Sequence, residues 1–271
     1  MMATLMTTPD VARLLGVTDT TVKRWVAQGR LQCVTTPGGH RRFERGEIER
    51  FRQTIGGRSD DLEFRFLQCL LQGSGVFGLQ SLMIETRGRL GTWWQVADLL
   101  GAALNQLGQQ WEQGTCSVFQ EHEASRRFQQ ALWACMASLP SPSPKARCLL
   151  AAVEGDQHTL GLSLAEICLR EAGWKSLWLG SPTPMPVLIE TIQESAPEMV
   201  VVSASAYSND AALLDRRCRA IIRACRQCGA ILVLGGNGAW PRNPSDGYLV
   251  QTFAEFAVLL ADRGPKPRLE K

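Results

Sequence analysis

Apolar side chains near the start of the chain fall at helical spacing. Val11, Leu14 and Leu15 form one short stripe, and Val22, Trp25 and Val26 form another beyond Gly16. This spacing predicts two short helices joined by a glycine turn. Thr8, ahead of Pro9, is the expected cap of the first helix, and Thr18 of the second. Thr20, Thr21, Lys23 and Arg24 fall on the outward face of the second helix. A second helix that exposes hydroxyls and cations after a tight turn predicts a helix-turn-helix able to enter a major groove. The following TTPGGHRRFERGEIERF predicts a Gly-Gly turn, a basic β-hairpin wing and a third amphipathic helix. His40, Arg41 and Arg42 are the expected DNA contacts of that wing, where cations reach phosphates without reading sequence.

Beyond a polar, glycine-bearing linker, GGRSDD at 56 to 61, the pattern over 62 to 139 predicts about four amphipathic helices, arranged as a bundle. PSPSPK at 140 to 145 cannot continue a helix and marks a second boundary. From 148 onward CLLAAVE, KSLWLG, MVVVSAS and AILVLGG read as apolar strands separated by helical stretches. The alternation predicts a parallel sheet covered on both faces, with its ligand at the carboxyl ends of the strands. EGDQH, SAS and GGNG all fall at those ends. The expected domain limits are 1–56, 60–140 and 146–264.

Composition refines this picture. The chain of 271 residues is 45% hydrophobic, enough for more than one ordinary core. It shows no long uncharged apolar run and no basic-then-apolar leader, so a soluble, cytoplasmic protein without a membrane partner is expected. Nine cysteines are scattered through apolar contexts as reduced core thiols are, and the one CxxC, Cys225 to Cys228, has no second pair for a zinc site. The net charge of +3 conceals an asymmetry: through residue 58 there are ten Lys and Arg against five Asp and Glu. Basic charge gathered in a small terminal module suits a polyanion binder. RGPKPRLEK at the end reads as a polar tail.

The three histidines are His40, His122 and His158. His158 lies in EGDQHTLG, where the strand CLLAAV gives way to its helix. An imidazole there can bind a metal, act as a base, or cap the helix. Asp156 is close enough along the loop to orient the ring, as a carboxylate behind a ligating histidine does. With no His, Cys or acid cluster to complete a zinc site, one imidazole suits a metal whose other ligands come from a macrocycle. Gly161, and Gly235 with Gly236 at another strand end, leave room for a bulky group beside the backbone. In WEQGTCSVFQEHEASRR, Trp111 falls near a helix end, Gly114 breaks the helix and Ser117 caps the next, so that Glu121 and His122 follow in its first turns. These three side chains can converge on one ligand.

Three resemblances attach to these residues. Thr8 to Phe51, with GGHRRF in the wing, resembles the winged DNA-binding domain of MerR-family transcription regulators. Glu154, Asp156, His158 and Gly161, with Ser203 after the third strand and Gly235-Gly236 after the fourth, resemble the cobalamin-binding domain of methionine synthase and related mutases. Trp111, followed after nine residues by Glu121-His122, resembles the upper-face signature of the CarH- and LitR-type light-sensing MerR regulators. Together they span nearly the whole chain in the same domain order. They imply a multidomain protein: a MerR-type winged helix-turn-helix, a four-helix-bundle cobalamin cap domain and an α/β flavodoxin-like (Rossmann-type) cobalamin-binding domain.

By the resemblance, His158 is the lower axial cobalt ligand and Asp156 its partner. Ser203, Gly235 and Gly236 line the cavity for the cofactor's displaced tail, and Trp111, Glu121 and His122 surround the adenosyl group. The function implied is a photoreceptor repressor that is not an enzyme. It holds double-stranded operator DNA as a homotetramer loaded with adenosylcobalamin in the dark, and light cleavage of the cobalt–carbon bond releases it. Two positions depart from the pattern. The usual Ser-x-Leu reads Ser203-Ala204-Ser205, and Glu112 stands where certain members carry a histidine that captures cobalt after photolysis. His122, water and Cys116 are the alternatives for that light-state ligand. The rival functions are a light-independent cobalamin-sensing regulator and a corrinoid protein for methyl transfer.

Overall fold

The structure is a computed structural model that describes residues 5–15, 19–27, 29, 31–36, 38–54, 59–72, 75–143 and 146–263. The chain divides into two compact units, Met1–Leu82 with Leu99–Phe128, and Met83–Asp98 with Gln129–Lys271.

The first unit opens with strand β1 (Leu5–Thr7), helices α1 (Thr8–Leu15) and α2 (Asp19–Ala27), strands β2 (Val34–Thr35) and β3 (Arg41–Glu44), and helix α3 (Arg45–Thr54). The cap of α1 is Thr7 rather than Thr8. Asp10 accepts from the Thr7 N–H and hydroxyl (3.0 and 2.6 Å), while the Thr7 hydroxyl accepts from the Asp10 N–H (3.3 Å), a reciprocal pairing that needs the acid three residues beyond the cap. Gly16 and the expected cap Thr18 lie outside the described residues. Val11, Val22, Trp25, Leu31, Phe43 and Ile48 form a shared core. Trp25 meets Phe51 and Phe64 edge-on, with ring centroids 5.1 and 5.9 Å apart, the geometry that places a positive ring edge on a negative face. The strands form an antiparallel sheet in the order β1-β3-β2. Three residues are too few for β1 to show an alternating pattern in the sequence.

Four helices follow: α4 (Ser59–Gln72), α5 (Gly75–Leu90), α6 (Trp93–Glu112) and α7 (Val118–Ala137). Ser59–Asp61, expected to belong to a linker, form the first turn of α4, and residues 56–58 lie outside the described residues. Each helix buries an apolar stripe. In α6 the stripe is Trp93, Val96, Ala97, Leu100, Ala103 and Leu107, at the helical period.

The second unit contains β4 (Arg147–Ala152), α8 (Leu160–Glu171), β5 (Lys175–Gly180), α9 (Met185–Ser195), β6 (Met199–Ser203), α10 (Ala211–Cys228), β7 (Ile231–Gly235), β8 (Tyr248–Leu249) and α11 (Phe253–Arg263). The sheet runs β5-β4-β6-β7-β8 with every pair parallel. Apart from Arg147 and Ser203 at their ends, its central strands β4, β6 and β7 carry no polar side chain, because both faces are covered. Leu149, Ala151, Val200, Val202, Leu232 and Leu234 pack with α9 and α10, while the alternate positions Cys148, Leu150, Val201 and Val233 are equally buried. Within this unit Glu171 of α8 accepts from Arg87 Nη2 (2.6 Å) and the Trp93 N–H (2.8 Å), and Asp98 accepts the Phe253 N–H that opens α11 (2.9 Å). Those bonds fasten residues 87–98 to the sheet layer. No helix among the described residues is long and apolar enough to cross a membrane.

The nine cysteines are free thiols. Burial pushes Cys135 up to about 11 and Cys225 up to about 12, far from the thiolate that metal binding or redox exchange requires. Cys225 and Cys228 occupy the end of α10, and the Cys228 thiol donates to the carbonyls of Ala224 and Cys225 (3.6 and 3.5 Å).

Candidate functional site

After β4 the chain crosses to β5 on one side, then returns past β4 to β6 on the other. The strand order therefore reverses between β4 and β6, the place at which open α/β sheets bind their ligands. The loop after β4 carries Asp156 and His158; the loop after β6 carries Ser205, Tyr207 and Ser208.

Asp156 joins the two loops. Its side chain is 1% exposed. Oδ1 accepts from the His158 backbone N–H (3.0 Å) and lies 2.9 Å from His158 Nδ1; Oδ2 accepts from the Ser205 N–H (2.6 Å) and the Ser208 hydroxyl (2.8 Å). Burial alone would raise this carboxyl's pKa, but the hydrogen bonds from His158, Ser205 and Ser208 outweigh it and hold the group down to about 2. An ionised carboxylate only accepts, so in a neutral imidazole Nδ1 carries the proton and Nε2 keeps its lone pair. The His158 side chain is 58% exposed, which leaves Nε2 available to a ligand. The Tyr207 ring stacks on the imidazole, with centroids 4.9 Å apart and planes 14° from parallel. The Ser181 hydroxyl donates to the Asp156 carbonyl (2.6 Å). Glu154 pairs with Arg217 (2.7 Å) and accepts the Met185 N–H (3.3 Å), so it joins the end of β4 to α9 and α10.

The glycines fall into two kinds. Gly161, in the first turn of α8, has open space where a Cβ would stand. Gly236 has φ +83°, and a Cβ there would stand 2.2 Å from the Ala204 carbonyl oxygen, so close backbone packing between the β6 and β7 loops already requires it. Gly235 is buried at the end of β7, its carbonyl accepting from Trp240 Nε1 (3.0 Å) and the Ala204 N–H (3.1 Å). Ser203 is half-buried, and its carbonyl accepts the Val153 N–H (2.9 Å).

In the first unit, Trp111 lies in the last turn of α6 and is 40% exposed. Gly114, at φ +69°, turns the chain out of that helix. Ser117 caps α7: its hydroxyl accepts the Gln120 N–H (3.2 Å), and Gln120 Oε1 accepts the Ser117 N–H (2.9 Å). Glu121 and His122 follow in the first turns, with carboxylate and imidazole 3.6 Å apart. Glu121 also accepts from the Ser125 hydroxyl (2.6 Å). Cys116 is buried, and burial together with the nearby Glu121 raises its pKa.

On the basic face, Thr20 and Lys23 of α2 are exposed, as are His40 and Arg41; Arg42 is half-buried. The side chains of Thr21 and Arg24 lie outside the described residues. The wing turn closes through Thr36, which accepts the Gly39 N–H (2.8 Å) and donates its own N–H to the His40 carbonyl (2.9 Å). Buried Phe43 then sets the register of β3.

Residues 5–55 match the family model of a helix-turn-helix domain, and residues 146–244 match that of a B12 binding domain. The chain carries a helix-turn-helix domain and a B12-binding domain. A second B12 binding domain model matches residues 95–135, the stretch that holds Trp111, Glu121 and His122. Over 126 residues the chain is 35% identical to the HTH-type transcriptional repressor CarA of Myxococcus xanthus, covering 45% of this chain and 41% of that protein. The chain thus spans about two fifths of the length of that relative. The monomethylamine corrinoid protein of Methanosarcina barkeri shares the fold, with a TM-score of 0.56 at 16% identity over 76% of this chain and 99% of that one. These matches support the resemblance to CarH-type cobalamin-binding transcription regulators, and with it DNA binding and a cobalamin cofactor.

The donor set of the B12-binding domain fits such a cofactor. It presents one imidazole nitrogen held from behind by a carboxylate, and among the described residues no group of three or more His, Cys, Asp or Glu could hold a metal ion. Sequence reasoning named Asp156 and His158 but missed Ser208 and Tyr207, which reach them from a loop about fifty residues away. In the region of the second match, Ser117→Ala is expected to destabilise α7 by about 1 kcal/mol, the usual cost of a lost cap, seen as a lower denaturant midpoint at unchanged slope.

Proposed function

We propose that the protein is a cobalamin-dependent photoreceptor repressor. It holds operator DNA as an oligomer, a homotetramer by resemblance, when loaded with adenosylcobalamin in the dark, and releases it in light. The observation that carries this reading is the buried Asp156 carboxylate that fixes the exposed His158 imidazole at the sheet's switch point, in a chain that begins with a helix-turn-helix domain.

When bound, cobalamin supplies a light-cleavable cobalt–carbon bond. The rest falls to the chain. His158 Nε2 would hold the cobalt, and Asp156 selects the tautomer of the neutral ring that carries its proton on Nδ1. Gly161, Ser203, Gly235 and Gly236 are the proposed lining of the tail's path. Trp111, Glu121 and His122 are the proposed contacts of the adenosyl group. Thr20, Thr21, Lys23 and Arg24 are assigned to the major groove, and His40, Arg41 and Arg42 to the flanking backbone. A ligand that binds the DNA-competent oligomer better than the free chain shifts the population toward it, and loss of the adenosyl contacts reverses the shift. Tying several weak helix-turn-helix modules together raises their effective concentration on DNA by orders of magnitude.

A second reading, a light-independent cobalamin sensor, is favoured by one observation: exposed Glu112 stands directly after Trp111, where a histidine would capture cobalt after photolysis. Size-exclusion chromatography of the adenosylcobalamin-loaded chain, in darkness and after green illumination, with absorbance spectra, separates the two. A cobalamin-bound oligomer that dissociates in light is the expected result. An assembly whose size ignores light while the spectrum changes overturns the photoreceptor reading in favour of the sensor.

A further inference from the structure

The hydrogen bond from Nδ1 to Asp156 sets the rotation of the His158 ring about its Cβ–Cγ bond only within the angular tolerance of one hydrogen bond. The imidazole keeps some swing about that bond unless a second contact restrains it. The contact that closes this freedom is the Tyr207 ring, 4.9 Å away and within 14° of parallel. We infer that Tyr207 is a positioning residue that sets the plane of the His158 imidazole, and with it the direction in which Nε2 meets cobalt. The inference rests on the reading of His158 as the lower cobalt ligand.

Three observations support it. Both partners of the stack are exposed to solvent, Tyr207 at 57% and the His158 side chain at 58%. A ring placed to fill a core would be buried, so orientation rather than packing accounts for this contact. Tyr207 also sits between Ser205 and Ser208, whose N–H and hydroxyl are both held by Asp156 Oδ2, while Oδ1 of the same carboxylate holds His158. The ring and its stacking partner are thereby referenced to one buried group. Finally, the Tyr207 N–H donates to the Ser205 hydroxyl (3.3 Å), and the Ser208 carbonyl accepts the Ala239 N–H (3.0 Å), which pins the loop at both sides of the tyrosine. A lone pair bonds well to a metal only when it lies along the bond axis, so a tilted imidazole is a weaker ligand even at full occupancy of its site.

The test uses the full-length protein loaded with cob(II)alamin. Electron paramagnetic resonance shows an axial nitrogen as a splitting of the cobalt lines. Labelling histidine with the heavy nitrogen isotope changes that splitting only if the nitrogen belongs to the protein. Tyr207→Ala is expected to shift the balance between histidine-bound and histidine-free cobalt about three- to tenfold toward the free form, the size of effect an aromatic pair exerts on an equilibrium. Tyr207→Phe, which keeps the ring, is expected to retain the wild-type balance. Far-UV circular dichroism of both variants should match the wild type, since the replaced side chain is exposed. A histidine-bound fraction in Tyr207→Ala equal to the wild type's overturns the inference, as does a Tyr207→Phe variant that fails like the alanine. His158→Ala is the separate control. If the wild-type spectrum itself carries no histidine nitrogen and matches that control, the lower-ligand reading fails, and the role of Tyr207 falls with it.

Discussion

Replacing His158 with alanine is expected to weaken cobalamin binding at least about a hundredfold. Loss of a group that merely orients a metal ligand typically costs about 10- to 100-fold in affinity, and here the ligand itself is removed. The fold should survive, because the imidazole is exposed and its ring contributes to no core cluster. Asp156 would keep its bonds to the backbone N–H of position 158, to Ser205 and to Ser208 in the variant, so the two loops stay joined while the proposed cobalt donor is gone. Titration of the purified variant with cobalamin, followed by absorbance, measures this directly. Wild-type affinity with a wild-type spectrum would remove His158 from the site and with it the argument for a protein-ligated corrinoid.

The second large effect concerns the wing. Arg41→Ala with Arg42→Ala is expected to lower affinity for every duplex by a similar factor and leave the ranking of sequences unchanged. Cations bound to phosphate release counterions, and each such contact contributes about 0.9 to the slope of log K against log salt on B-form DNA. Losing two contacts should flatten that slope by about 1.8. Lys23 and Thr20, on the exposed face of α2, should behave differently, because a residue reading base edges changes which sequence is preferred. An unaltered salt slope in the double variant would place the wing away from the backbone.

Much of the fold is legible in the sequence because burial imposes a period. The central strands β4, β6 and β7 read as apolar runs since both of their faces are covered, and α6 and α7 betray themselves through stripes such as Val96, Leu100, Ala103 and Leu107 in the first and Ala124, Phe128, Ala131 and Cys135 in the second. Elements below that scale escape. Strand β8 has two residues and β1 has three, which is too short for any alternation to appear. The cap of α1 was decided by Asp10, whose place three residues beyond Thr7 is a signal the sequence does contain. At the site, Asp156 and His158 are two residues apart in the chain, so their partnership can be inferred locally. Ser208 and Tyr207 are not, and only the crossover that sets β6 beside β4 delivers them. Ser205 illustrates the difference: as a letter it is a departure from a pattern, whereas in the fold its backbone N–H holds Asp156 whatever its side chain. In the sequence Gly236 reads as space for a cofactor, and the structure gives it a prior duty against Ala204.

Four donors converge on Asp156, from the His158 backbone, the His158 ring, Ser205 and Ser208. That convergence closes the position to asparagine, the residue most like aspartate in shape. An amide would turn its own NH2 toward N–H or O–H groups on one side. The Ser208 hydroxyl could rotate to accept, but the backbone N–H of Ser205 could not, nor could that of His158 if the amide turned the other way. Shape here is almost free, and polarity is the whole specification.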